Sequence, residues 1–245
     1  MNADPAIQLR LLDLQAADTA LAQLAHRRRH LPELAAIAEH EKNAAALHNE
    51  VIDAQTAAAD ADLEQRRLES DVETVRNRAS RDEARLQAGG LPARELEGLQ
   101  HEIATLARRQ STLEDELLDV MERAEEAATV LAGAQQRHQA VLAEQRELEG
   151  RRDAALAEID AATAERLPER ERIAAELPAE LLALYERARA HSGTGAAMLK
   201  QRRCEGCHIE LSGSELSALR TAAPDAVVRC DNCRAVLVRT GESGL

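Results

Sequence analysis

Between Leu96 and Ala162, apolar or small residues recur at alternating steps of three and four. The series runs Leu96, Leu99, Ile103, Leu106, then Leu113, Leu117, Val120, Ala124, Ala127, Leu131 and Ala134, and continues through Val141, Leu148, Ala155, Ile159 and Ala162. Roughly ten heptads in one register, flanked by Glu, Arg and Gln, predict a coiled-coil helix, because a 3.5-residue repeat keeps one stripe facing a partner. The first half offers that partner. Ala61, Leu68, Val72, Val75, Ala79 and Leu86 keep heptad spacing, and Ile7, Leu11, Leu14, Leu21 and Leu24 form an opening stripe.

Gly89-Gly90-Leu91-Pro92 separates the two heptad segments almost evenly. Two glycines can reverse a chain and proline suits the first turn of a new helix, so the expected fold is an antiparallel hairpin with its tip near residues 89–92 and residue i facing about 181 − i. At ~1.5 Å per residue an arm of about 80 residues would reach about 120 Å. Leu31-Pro32 predicts a kink near residue 32 rather than a domain boundary, at the level of Gly150 on the returning helix. Composition agrees: there is no Phe or Trp, Tyr185 is the sole aromatic residue, and 31% of residues are charged. Such a chain packs long helices side by side rather than around aromatic bulk. Polar residues at the seam, Gln110, His138, Gln145, Arg152 and Arg166, read as register-setting positions or as a groove for another protein. A monomeric hairpin and a dimer both satisfy this pattern.

The formal charge of −13 sits in the helical part, whereas residues 199–245 carry 7 Lys/Arg against 6 Asp/Glu. The arm should therefore repel nucleic acid and anionic membranes. No apolar run reaches the roughly 18 residues of a membrane span, and Met1-Asn2-Ala3-Asp4-Pro5 does not resemble a secretory signal. A cytoplasmic location with reduced thiols is expected, which favours metal binding over disulfides.

Pro168 and Pro178 are expected to end the arm, dividing the chain into a hairpin over 1–177 and a region over 178–245. The second region reads as a short amphipathic helix from Pro178, a turn at Ser192-Gly-Thr-Gly, strand-like runs at 198–203, 227–228 and 235–239, and a helix over Ser214–Thr221. Within it lie Cys204-Glu-Gly-Cys207 and Cys230-Asp-Asn-Cys233. Two Cys-x-x-Cys pairs on facing turns supply the four thiolates of a tetrahedral structural zinc. Gly206 and Asn232, at the same offset in each pair, are the expected φ-permissive residues of the two knuckles. Two disulfides or a c-type haem at Cys204–His208 would require export, and a dithiol redox pair would require a βαβ setting.

A four-thiolate zinc keeps no open position for water or substrate. No phosphate loop, dinucleotide turn or nucleophile motif accompanies it, so no enzyme is expected. Lys200, Arg202, Arg203, Arg229, Arg234 and Arg239 cluster in sequence around the knuckles as candidate docking residues. They could position a phosphate backbone, face a protein, or be ordinary surface charge interleaved with Glu205, Glu210 and Asp231. The run Arg27-Arg28-Arg29 reads as a solvated helix face.

Three segments carry a family resemblance: Arg94-Glu-Leu-Glu-Gly-Leu-Gln-His-Glu-Ile after the tip, Leu113-Glu-Asp-Glu-Leu with Met121-Glu, and the ribbon Arg203-Cys-Glu-Gly-Cys with Val228-Arg-Cys-Asp-Asn-Cys-Arg-Ala-Val-Leu. Over nearly its whole length the chain resembles a bacterial family that joins a long N-terminal coiled-coil hairpin to a four-cysteine zinc ribbon, described as nucleic-acid-binding, and within it the actinobacterial type. The resemblance implies a zinc-stabilised adaptor: an arm for protein partners and a ribbon that docks on protein, RNA or DNA. An alternative is a transcription regulator that reaches RNA polymerase through the coiled-coil tip, where Asp82, Glu83, Glu95 and Glu97 lie.

Overall fold

A computed structural model describes residues 1–245. Four helices come first: α1 (Pro5–Arg29), α2 (Pro32–Ala88), α3 (Ala93–Ala175) and α4 (Ala179–Ser192). The ribbon follows as β1 (Ala196–Lys200), β2 (Arg203–Cys204), α5 (Gly213–Thr221), β3 (Val228–Arg229) and β4 (Val236–Val238). The chain is mainly α, a long helical hairpin with a small four-cysteine ribbon at its C-terminal end.

The helices begin and end where their sequence instructs. Asp4 caps α1 by accepting from the Ala6 amide at 2.7 Å, with Pro5 in the first turn. His30 and Leu31 interrupt the helix, and Pro32 opens α2, where its missing amide costs nothing. At the tip Gly89 and Gly90 both adopt left-handed φ, +69° and +82°. An L side chain resists that conformation, so the glycines make the reversal possible.

The chain forms two compact units, Glu33–Gly150 and Met1–Pro32 with Arg151–Leu245. Their limits fall at Pro32 and Gly150, not at the 177/178 division drawn from the prolines. The reason is that α1, the end of α3 and α4 pack into one core with the ribbon.

In the Glu33–Gly150 unit α2 and α3 run antiparallel. Ile37, Ala44, Ala54 and Val72 are buried on one helix and Leu106, Leu113, Val120 and Ala134 on the other. Arg78 pairs with Glu102 near the tip, and Arg123 with Glu64 and Arg137 with Glu50 further down, at 3.0 and 2.9 Å. Reversal about Gly90 places Glu50 opposite about residue 131; its partner is Arg137 because side chains on both helices lean toward their own N-termini.

α3 does not end at Pro168 but runs on to Ala175. A mid-helix proline costs about 3 kcal/mol. Burial of Ile173, Ala174 and Leu177 just beyond it, at roughly 1.5–3 kcal/mol per large apolar side chain, outweighs that cost.

The second unit has layers. Its sheet has the order β2-β1-β4-β3, with β1 and β4 parallel and both outer pairings antiparallel. Side chains alternate across it. Ala196, Val236 and Val238 face a core made with Leu11 and Leu14 of α1, Ile173 of α3, and Leu181 and Tyr185 of α4. Ala197, Leu199 and Leu237 face the cysteines and Leu216 and Leu219 of α5. The expected strand over 198–203 is in fact two strands joined by Gln201 and Arg202, both at positive φ (46° and 65°). That is the twist-matched geometry of a two-residue hairpin.

The N-terminus is stitched into this ribbon. The Ala3 amide donates to the Asp225 carbonyl at 2.8 Å, the Val227 amide to Met1 at 3.1 Å, and the Gln8 side-chain amide reaches both Ala3 and Asp225. These long-range bonds and the shared core place α1 with the ribbon. No helix is long and apolar enough to cross a membrane.

Candidate metal centre and ribbon surface

Each knuckle is built the same way. The Cys204 amide donates to the Ile209 carbonyl and the His208 amide to the Cys204 carbonyl; the Cys230 amide donates to Ala235 and the Arg234 amide to Cys230. His208 and Arg234, each just past the second cysteine, take the left-handed conformation at φ 58° and 67°. The sequence had pointed to Gly206 and Asn232, and neither has positive φ. The turn closes one residue later, where a five-residue hydrogen bond requires the αL geometry. Gly206 serves space instead: a Cβ there would lie 2.9 Å from the Thr194 methyl and 3.0 Å from Ala197 Cβ.

The two knuckles bring all four sulfurs within 4.8 Å of one another, none in a disulfide. Cys204 to Cys233 and Cys207 to Cys230 both measure 3.8 Å. A tetrahedron with ~2.3 Å zinc–sulfur bonds has edges of about 3.8 Å, so the residues fit the ion. Cys204, Cys207, Cys230 and Cys233 hold one structural zinc. Burial pushes the Cys204 and Cys233 thiols up. Burial also raises Cys207, but the Ile209 amide and the neighbouring cysteines outweigh it and hold that thiol below its usual value. A divalent cation resolves this conflict by stabilising all four thiolates.

The six candidate docking cations divide. Lys200 is paired with Glu242 at 2.9 Å. Arg202 donates to the Gly244 carbonyl at 3.0 Å. The Arg239 guanidinium donates to the carbonyls of Leu219, Ala222, Ala223, Pro224 and Ala226, closing the C-terminus of α5 and bracing the loop that holds Ala3. A planar five-donor fork suits that task. Arg203, Arg229 and Arg234 are exposed and engage no carboxylate. At the other end of α1, Arg27 and Arg28 reach Glu158 and Asp160 on α3 rather than forming a wholly solvated face.

One buried polar cluster escaped the sequence reading. Asp18, 3% exposed, accepts from the Tyr185 hydroxyl at 2.7 Å and from Arg170 Nε at 3.1 Å, with Arg189 Nε at 3.4 Å. Burial, then the Asp18 carboxylate, pushes the Tyr185 phenol well above its usual range. Burial opposes the Arg170 charge, and Asp18 and Glu186 more than offset it. The Tyr185 ring lies against Gly195, where a Cβ would come within 2.4 Å of it. Gln15 Oε1 accepts from the Gly195 amide at 2.7 Å. The available signal was a lone tyrosine in an aromatic-free chain, together with an aspartate on the α1 stripe.

Residues 14–193 match the CT398-like coiled coil hairpin domain and residues 203–237 the C4-type zinc ribbon domain. An uncharacterized protein of Mycobacterium tuberculosis is 40% identical over 239 residues, 98% of each chain. A solved structure from Mycobacterium smegmatis superposes with a TM-score of 0.85 at 35% identity, covering 98% of this chain and 100% of that one. CT398 from Chlamydia trachomatis shares the fold, with a TM-score of 0.66 at 17% identity over 96% and 98% of the two chains.

Proposed function

The chain belongs to the CT398-like coiled-coil hairpin family and ends in a C4-type zinc ribbon, and from that premise we infer that it is a non-enzymatic adaptor, its arm for protein partners and its ribbon for docking on nucleic acid or protein. The closed thiolate set carries the reading. With four cysteines around the ion, the metal is a clasp that shapes a surface, not a reagent. The surface it shapes projects Arg203, Arg229 and Arg234 outward, and the ribbon shares a hydrophobic core with the helical base, so the two act as one body within their unit. The arm supplies the complementary part: a solvated helical surface with isolated apolar side chains such as Leu63 and Leu118, 69% and 59% exposed.

The polymerase-channel alternative has less support. Asp82, Glu95 and Glu102 at the tip share their cleft with Arg78 and Arg85, so the tip is not an acidic probe.

Photo-crosslinking residues at positions 63 and 118 of the full chain, in the native cell, test the adaptor reading. A discrete protein adduct from the arm is expected. Arm positions that yield no adduct while the zinc content stays stoichiometric would overturn it.

A further inference from the structure

Every thiol of the chain sits in the metal centre, because Cys204, Cys207, Cys230 and Cys233 are its only cysteines. They differ in access. Cys204, Cys230 and Cys233 are buried, at 0%, 1% and 8% exposure, whereas Cys207 is partly open to solvent. We propose that Cys207 is an oxidative-modification site at which a hydroperoxide opens the zinc clasp. The four thiolates become two disulfides that cross the knuckles, Cys207–Cys230 first and Cys204–Cys233 second. This chemistry holds whatever the ribbon docks on.

Exposure chooses the first sulfur. A thiolate is the nucleophile toward hydrogen peroxide, and the peroxide must reach it. Of the four, Cys207 alone is open, and its neighbours His208 and Ile209 are exposed as well. Its sulfur bonds to one peroxide oxygen, the O–O bond breaks, and the other oxygen leaves as hydroxide, which becomes water on protonation. The product is a sulfenic acid.

Geometry chooses the partner. With no further cysteine in the chain, the sulfenic acid is resolved inside the site, where the Cys230 sulfur lies 3.8 Å from that of Cys207. Attack by Cys230 forms the S–S bond and expels the second oxygen, again as water. One peroxide thus takes two electrons from two thiolates. A disulfide holds its sulfurs at about 2.05 Å, a gap that side-chain rotation closes. With two thiolates consumed, the tetrahedral set is broken and the ion is released. Cys204 and Cys233 then face each other at 3.8 Å in an opened site, and a second peroxide converts them by the same steps. Pairing across the knuckles uses both existing contacts. It also leaves the turn hydrogen bonds, His208 amide to Cys204 and Arg234 amide to Cys230, in place. A dithiol reductant reverses both products by thiol–disulfide exchange.

Stepwise addition of hydrogen peroxide to the zinc-loaded full chain tests this. Released zinc is followed with a chromophoric chelator, remaining thiols are capped with N-ethylmaleimide, and tryptic peptides are mapped by mass spectrometry. Cleavage after Arg203, Arg220, Arg229 and Arg234 leaves the first knuckle in peptide 204–220 and the second in 230–234. Early in the addition, each zinc released should accompany one link between these peptides, through Cys207 and Cys230, with the cap on Cys204 and Cys233. Excess peroxide should leave no thiol to cap, and dithiothreitol with added zinc should restore the full zinc content. Separate peptides, each closed by its own bridge, would place the disulfides within the knuckles. A first link through Cys204 or Cys233, zinc lost without any link, or zinc not regained on reduction would each overturn the proposal too. Cys207→His keeps a zinc ligand but removes the entry thiol, and it should retain its zinc at a peroxide dose that empties the parent. Equal loss from both would remove Cys207 as the entry point. The parent's peptide map decides the matter even if that variant binds no zinc. Crosslinks from the arm depend on none of these outcomes, so the adaptor reading stands or falls separately.

Discussion

The Glu33–Gly150 unit and the ribbon-bearing unit solve the same problem, folding without aromatic bulk, in opposite ways. The first buries eight apolar residues along two helices, three of them alanines. Its cross-helix ion pairs lie at the surface, Arg137 and Glu50 each more than half exposed, and exposed pairs contribute about 0–1 kcal/mol each. Stability there is spread thinly over length. The second unit concentrates it: two cores on opposite faces of one small sheet, a buried charge cluster around Asp18, and a metal. Even distribution tolerates single losses, whereas concentration makes a few residues indispensable.

The largest test of that contrast is removal of zinc. Structural zinc in small modules is worth roughly 10–16 kcal/mol in apparent binding free energy. Chelation, or Cys230→Ser, should abolish amide-exchange protection across β1, β4 and α5 while the helical circular dichroism of the arm is largely retained. Loss of arm helicity in parallel would erase the distinction between the units.

Asp18→Asn comes next. It keeps the side-chain volume but leaves Arg170 and Arg189 facing a neutral group, and breaking a buried pair costs about 3–5 kcal/mol. The melting transition of the ribbon-bearing unit should fall clearly, with that of the arm unmoved. Core truncations then compare the two units directly. Leu181→Ala in the layered core should cost about 3–5 kcal/mol, and Leu113→Ala in the two-helix seam about 2–3, because fewer neighbours surround the void. Denaturant unfolding that ranks them the other way would contradict the account of a thin arm.

The smallest effect is a titration. Glu114 accepts from Gln110 at 2.8 Å and from Arg76 at 3.0 Å, and these bonds hold its carboxyl below the usual range. A lowered folded pKa means the contribution is present above the unfolded value and fades as pH falls through the folded one. NMR titration should show the depressed midpoint, and Gln110→Ala should move it back toward that of an ordinary glutamate. The Gln110–Glu114 bond gives a seam glutamine a local partner on its own helix.

Much of this was legible in the residues themselves. Heptad spacing identified α2 and α3, Gly89-Gly90 the reversal, and the two Cys-x-x-Cys pairs the metal. Each is a local pattern whose physics, the helical period, the left-handed φ and the reach of two thiolates, acts within a few residues. What folding alone decided involves residues far apart in the chain. Whether Pro168 ends a helix depends on what Ile173 packs against. Whether Arg239 greets a ligand or braces α5 depends on five carbonyls up to 20 residues away, and the partners of Asp18 lie more than 150 positions distant. Periodicity and spacing specify elements and a metal. The company that each side chain keeps was settled only when α1 closed onto the ribbon, because burial and hydrogen bonding between distant segments leave no local signature.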